Sequence, residues 1–187
     1  MLSEAGTYFL YLLTFLYQVF VPCRNPEQLF VNSVDRQQYL GRWFFQAAVS
    51  HREADIQRFK ALDSTVFIME ETANDTLVLT GNMRSRLTGV FSDGFILGRP
   101  QRRNLLWSGV WANCLDCIVF QEIEPPLRET DSEDSLNRFM LYARQKDVPP
   151  EMLTAFLRNS ACHKMTESVR LPQEKEFCHE LAMNKLN

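Results

Sequence analysis

The chain has 187 residues, 45% of them apolar and 12% aromatic, which suffices to bury the core of one domain and is too short for a multi-domain enzyme. Twenty Lys and Arg stand against 23 Asp and Glu, a formal charge of -3, so no overall basic field exists to draw a phosphodiester backbone. Nucleic acid is therefore not an expected partner.

The first element in chain order is the apolar run from Tyr8 to Val21, YFLYLLTFLYQVFV, broken only by Thr14 and Gln18. It falls short of the roughly 20 apolar residues that cross a bilayer, and it has the length of a signal-peptide core. Ser3 and Glu4 precede it without Lys or Arg, and bulky Val19, Phe20 and Val21 stand ahead of Pro22 and Cys23, so no small-x-small cleavage site is present. Residues 1–22 are expected to be a secretory signal that stays attached and lies in a phospholipid surface, with 23–187 as the folded domain. The alternative is an ordinary secretory peptide cut at a site that the sequence hides.

Period-two segments dominate the body of the chain. Strands are expected over Trp43 to Val49, Ser64 to Glu70, Thr76 to Met83, Leu105 to Ala112, Cys117 to Ile123 and Arg138 to Arg144, with a weaker one inside Leu87 to Leu97. Only one helix is expected. Pro149-Pro150-Glu151 opens MLTAFLRNSAC, where Met152, Leu153, Phe156 and Leu157 form an apolar stripe at helical spacing. Short strands at this spacing favour a closed barrel or a sandwich.

Charge is clustered in two places. Five arginines, Arg84, Arg86, Arg99, Arg102 and Arg103, face a single Asp93, while six acids from Glu122 to Asp134 face a single Arg128. Most of these are expected to be solvated loop charge, and only members that alternate with apolar strand residues can point inward. Five cysteines point to an oxidising compartment, with one left over by parity. The sequon Asn74-Asp75-Thr76 agrees with secretion and is a glycosylation site if it proves to be an exposed turn. Cys114-Leu-Asp-Cys117 has no second C-x-x-C for zinc, and His51, His163 and His179 lack metal-ligand spacing, so no metal or cofactor is expected.

Leu40-Gly41-Arg42-Trp43 carries the G-x-W signature of the lipocalins, and Phe139 to Arg144, FMLYAR, resembles their last strand, whose arginine packs over that tryptophan. YLGRWFFQAA, LDSTVFIM, the Gly-Arg-Pro at 98–100, RFMLYAR and the PPEMLTAFLRNSAC segment with a tail reaching FCHEL together resemble the apolipoprotein M family of lipocalins, in a divergent form. That resemblance implies an all-β, eight-stranded antiparallel up-and-down barrel with one C-terminal helix packed outside. It implies a secreted monomer on high-density lipoprotein that carries an amphiphilic lipid, with sphingosine-1-phosphate as the family ligand. The retained signal peptide is also a family property. The stretch from Arg84 to Leu97 departs from the family pattern, which has a longer strand pair there carrying a cysteine and phosphate-facing side chains.

Position by position, the resemblance places a phosphate arginine at Arg99, an acid for the ligand ammonium at Glu122, and further ligand contacts at Arg138 and Tyr142. Gly41, Trp43 and Arg144 carry structural roles, Arg144 stacking near Trp43 at the closed end. The resemblance also implies a bridge from Cys23 to Cys162. The family partners of Cys114 and Cys178 are absent, Met152 or Leu153 standing where the partner of Cys114 would be, so Cys114 is expected to pair with the extra Cys117 and Cys178 to stay free. Two other function classes compete with the carrier: a thiol enzyme, for which no base is placed beside a cysteine, and a membrane-held protein-binding module. A retinoid or fatty acid would suit the same apolar cavity.

Overall fold

The structure is a computed structural model and describes residues 4–19, 23–30, 35–60, 62–71, 77–85, 89–94, 103–128, 130 and 133–170. Asn74, Arg99 and Cys178 lie outside the described residues.

The apolar N-terminal run forms a helix, α1 (Glu4–Val19), with Tyr8 to Leu13 exposed. No described helix is long and apolar enough to cross a membrane. The domain then runs β1 (Gln28–Leu29), β2 (Gly41–Ser50), α2 (Glu53–Lys60), β3 (Leu62–Glu71), β4 (Leu77–Ser85), β5 (Gly89–Gly94), β6 (Arg103–Ser108), β7 (Cys117–Glu124), β8 (Leu136–Ala143), α3 (Pro150–Cys162) and β9 (Glu167–Arg170). All ladders are antiparallel, in the order β1-β6-β7-β8-β2-β3-β4-β5, with β9 on β2. Pairing of β2 with β8 joins the β2–β5 and β6–β8 meanders into one sheet, and is the first-to-last strand contact of an up-and-down barrel. The fold is that of a lipocalin.

Two elements differ from the sequence expectation. The strand expected to reach Ala112 ends at Ser108, because Ser108 Oγ accepts from the Val110 amide and the chain turns into a 3-10 helix over Gly109–Ala112. That turn is tight: a Cβ on Gly109 would stand 2.2 Å from the Cys117 carbonyl oxygen, so only glycine suits it. The weaker strand expected inside Leu87 to Leu97 is β5, hairpinned onto β4 from Thr80↔Gly94 to Ser85↔Gly89. The second difference is another helix in the domain, α2, where a plain connection between strands was expected.

Two apolar clusters lie on the two faces of the wall. Met152, Leu153 and Phe156 of α3 join Ala47, Val49, Val119, Phe139 and Leu141 on the outer face. The inner cluster holds Trp43, Phe45, Phe67, Met69, Ile118, Met140 and Tyr142, closed over by Ile56 and Phe59 of α2. In β2 a bulge shifts the alternation: Phe45 pairs with Tyr142 and Ala47 with Leu141, leaving Gln46 as the extra residue. Its amide donates towards the carbonyls of Phe44, Gln145 and Lys146 at 3.1 to 3.3 Å, which satisfies the group where the ladder is interrupted.

Candidate functional site

The inner wall carries one polar rung. Asn104 on β6 pairs with Glu122 on β7, Glu122 with Arg138 on β8, and Arg138 with Ser50 at the end of β2. Directly paired residues share a face, so these four side chains belong to one level of the barrel, at the end where β2 leads into α2. Glu122 and Arg138 form a hydrogen-bonded ion pair, with side chains only 2% and 3% exposed. Arg138 Nη1 also donates to the Asp55 carbonyl at 2.8 Å, and its guanidinium lies 4.9 Å from the centre of the Phe59 ring. Removing two charges from water is costly, and such a pair persists when the partners satisfy one another and their neighbours.

Helix α2 sits over this rung for local reasons. Glu53 and Asp55 place negative charge in its first turn, where the helix dipole favours it. Ile56 and Phe59, three residues apart on one face, are buried, and Phe59 stacks on Phe45 with centroids 5.0 Å apart. Lys60 pairs with Glu53 and holds its carboxyl below the usual carboxylate range. Asp55 fastens the helix to the wall. Its carboxylate accepts from Arg52 Nη2 at 2.9 Å and the Asn137 amide at 3.2 Å, and it lies 2.9 Å from Ser50 Oγ. Arg52 Nη2 also reaches the Ser135 carbonyl at 2.6 Å.

Below the rung the interior is aromatic. Tyr142 meets Phe67, Phe45 and Phe120 edge-on at centroid distances of 4.9, 5.6 and 5.7 Å. It shares a face with Arg138, but four residues of strand, roughly 13 Å, separate their backbones. Its hydroxyl lies 3.7 Å from Met140 Sδ. Thus Glu122 and Arg138 are brought together, and Tyr142 stands deeper, among the aromatic rings of the inner cluster. Outside the ion pair, two buried polar atoms of the described inner wall have no hydrogen-bond partner: Asn104 Oδ1 and Thr65 Oγ1.

The opposite end is closed by the signature residues. The Arg144 guanidinium lies 3.7 Å over the Trp43 ring, donates to the Arg42 carbonyl at 3.0 Å and also reaches the Gln38 carbonyl. Burial lowers the pKa of Arg144 from its ordinary value, and Asp116 opposes that shift. Trp43 Nε1 donates to the Tyr39 carbonyl at 2.8 Å, and Gly41 adopts a φ of 92°, the left-handed region that favours glycine.

Among the described residues two disulfides are formed, Cys23–Cys162 and Cys114–Cys117. The first is buttressed by polar contacts, since Arg24 Nη1 donates to Asn113 Oδ1 at 2.8 Å, Trp111 Nε1 to the Arg24 carbonyl at 2.9 Å, and Asn159 Nδ2 to the Trp111 carbonyl at 2.6 Å. Cys117 Sγ lies 3.3 Å from Met152 Sδ, so the thioether packs on the local bridge at the start of α3. Among the described residues no group of His, Cys, Asp or Glu could hold a metal ion.

The family model described as the ApoM domain matches residues 1–182. The chain belongs to the ApoM family. Solved structures agree on the fold: rat epididymal lipocalin 12 superposes with a TM-score of 0.55 at 11% identity, covering 81% of this chain and 91% of that one. The siderocalin Ex-FABP gives 0.52 at 14% identity, covering 72% and 94%. The siderocalin Q83 gives 0.51 at 16%, covering 78% and 96%. ApoM membership and the apolar barrel make the chain a lipid-binding carrier by fold and family.

Sequence reasoning named Glu122, Arg138 and Tyr142 but missed Asp55, Phe59, Ser50 and Asn104. Ile56 and Phe59 at helical spacing, behind the acidic Glu53 and Asp55, were the available signal for α2.

Proposed function

We propose that this ApoM chain is a secreted carrier, borne on high-density lipoprotein, of an amphiphilic lipid with a charged head, most specifically sphingosine-1-phosphate. It acts by binding and release and not as a thiol enzyme. The observation that carries the reading is the buried Glu122–Arg138 pair at the α2-covered end of a barrel whose inner cluster is apolar. A zwitterionic head can insert between two such groups, its ammonium on Glu122 and its phosphate on Arg138, so that neither charge is stranded. Arg99 adds a second phosphate contact, and Tyr142 with its neighbouring rings bounds the sphingoid chain. Because Ile56 and Phe59 close the inner cluster, loading requires α2 to move aside. Residues 1–22 are retained and hold the protein in the lipoprotein phospholipid layer. Asn74 carries the glycan.

The test is Arg138→Met, with binding of sphingosine-1-phosphate compared with that of sphingosine. Loss of a charge-assisted hydrogen bond costs about 1.5 to 3 kcal/mol, so the phosphorylated lipid should weaken by more than about tenfold and the dephosphorylated one much less. Equal losses for both would refute the assignment. Native mass spectrometry of the secreted protein reads the ligand mass and the N-terminal residue together, and a chain beginning near Pro22 or Cys23 would overturn the retained anchor.

A further inference from the structure

Asn104 and Leu106 share a parity on β6, and Leu106 packs against the inner cluster, so Asn104 also faces inward. It stands opposite Glu122, whose other neighbour is Arg138. Among the described residues Asn104 Oδ1 is buried with no hydrogen-bond partner, an uncommon state for a buried amide oxygen. Arg138, a donor on the same level, directs its Nε to Glu122 and its Nη1 to the Asp55 carbonyl, and no hydrogen bond from it reaches Asn104 Oδ1.

We infer that Asn104 Oδ1 is a ligand-binding group, and that with Glu122 it selects lipids whose head carries a primary ammonium over those with a quaternary one. This rests on the carrier function proposed for the barrel and specifies the head group. Geometry supports the pairing. Two acceptors each about 2.8 Å from a tetrahedral nitrogen stand roughly 4.6 Å apart, close to the spacing of about 4.8 Å between neighbouring strands. A primary ammonium has three N–H donors, one for the carboxylate and one for the amide oxygen. A trimethylammonium has none and leaves Asn104 Oδ1 buried and unsatisfied.

The experiment uses the full secreted chain, stripped of lipid, and measures affinity for sphingosine-1-phosphate, its N,N,N-trimethyl derivative and a lysophosphatidic acid, which has the phosphate and no ammonium. Wild type should prefer the primary ammonium by about tenfold or more. Asn104→Leu should cut that preference at least about fivefold while leaving lysophosphatidic acid within about twofold, and Asn104→Asp, which keeps an acceptor, should retain the preference. If Asn104→Leu binds with the preference intact, or if both variants lose all three lipids equally, the inference falls alone. If the wild-type chain binds none of the three, the carrier reading falls and takes the inference with it.

Discussion

Breaking the Glu122–Arg138 pair from one side takes the ion-pair partner from the other charge where almost no water reaches it. Single substitutions of this kind cost about 3 to 5 kcal/mol, whereas replacing both partners by apolar groups is often neutral. The two singles should not be equal. In Glu122→Leu the guanidinium keeps its bond to the Asp55 carbonyl and its place against Phe59, which puts the cost near about 3 kcal/mol. In Arg138→Met the Glu122 carboxylate loses this cation, and the Asp55 carbonyl and the Phe59 ring lose theirs too. The cost should approach about 5 kcal/mol. The double variant Glu122→Leu/Arg138→Met removes both buried charges together, so its loss should stay below about 2 kcal/mol, smaller than either single. Urea unfolding followed by circular dichroism measures all four proteins, and at this chain size the singles should melt roughly 6 to 20 °C lower. Additive losses in the double variant would refute the reasoning, because they would mean that the two side chains do not satisfy each other in the folded state.

Three further outcomes are expected. Removing Cys23–Cys162 should cost about 5 kcal/mol in the chain-entropy account and removing Cys114–Cys117 about 2, so urea midpoints of the two double-serine variants should fall in that order. Gly81→Ala places a Cβ 2.6 Å from the Phe67 ring, which lies across the glycine inside the barrel, and should cost about 1 to 3 kcal/mol, with recovery in Gly81→Ala/Phe67→Leu measured by thermal melting. Asp55→Ala removes the acceptor that fastens α2 to Arg52 and the Asn137 amide, and hydrogen exchange over 53–60 should quicken by about tenfold or more while α3 keeps its protection.

The wall of the barrel was legible because alternation survives in most strands: Leu79, Gly81 and Met83 pair with Met69, Phe67 and Thr65, and Arg138, Met140 and Tyr142 share a face. Helix α3 was legible from Pro150 and its apolar stripe. Helix α2 was not, because eight residues of which four are charged look like a polar connection, and its stability comes from Ile56 and Phe59 meeting a barrel end that local sequence does not encode. The bulge at Gln46 was hidden for a related reason. Both faces of β2 are apolar, one against α3 and one inside, so its uniform burial erases the period that would have marked the slip. Glu122 and Arg138 were legible through the family resemblance and Asn104 was not, since its importance depends on the register that sets it opposite Glu122.

The bond between Cys23 and Cys162 also fixes how the molecule bears load. Tension on the chain ahead of Cys23 passes through the sulfurs directly to the C-terminal end of α3, bypassing the 139-residue span between them. The two-residue ladder of β1, otherwise the first contact to peel, carries little of it. A tug from the N-terminal side therefore reaches the end of α3 through a covalent shortcut, and the strands strung between the two cysteines are spared it.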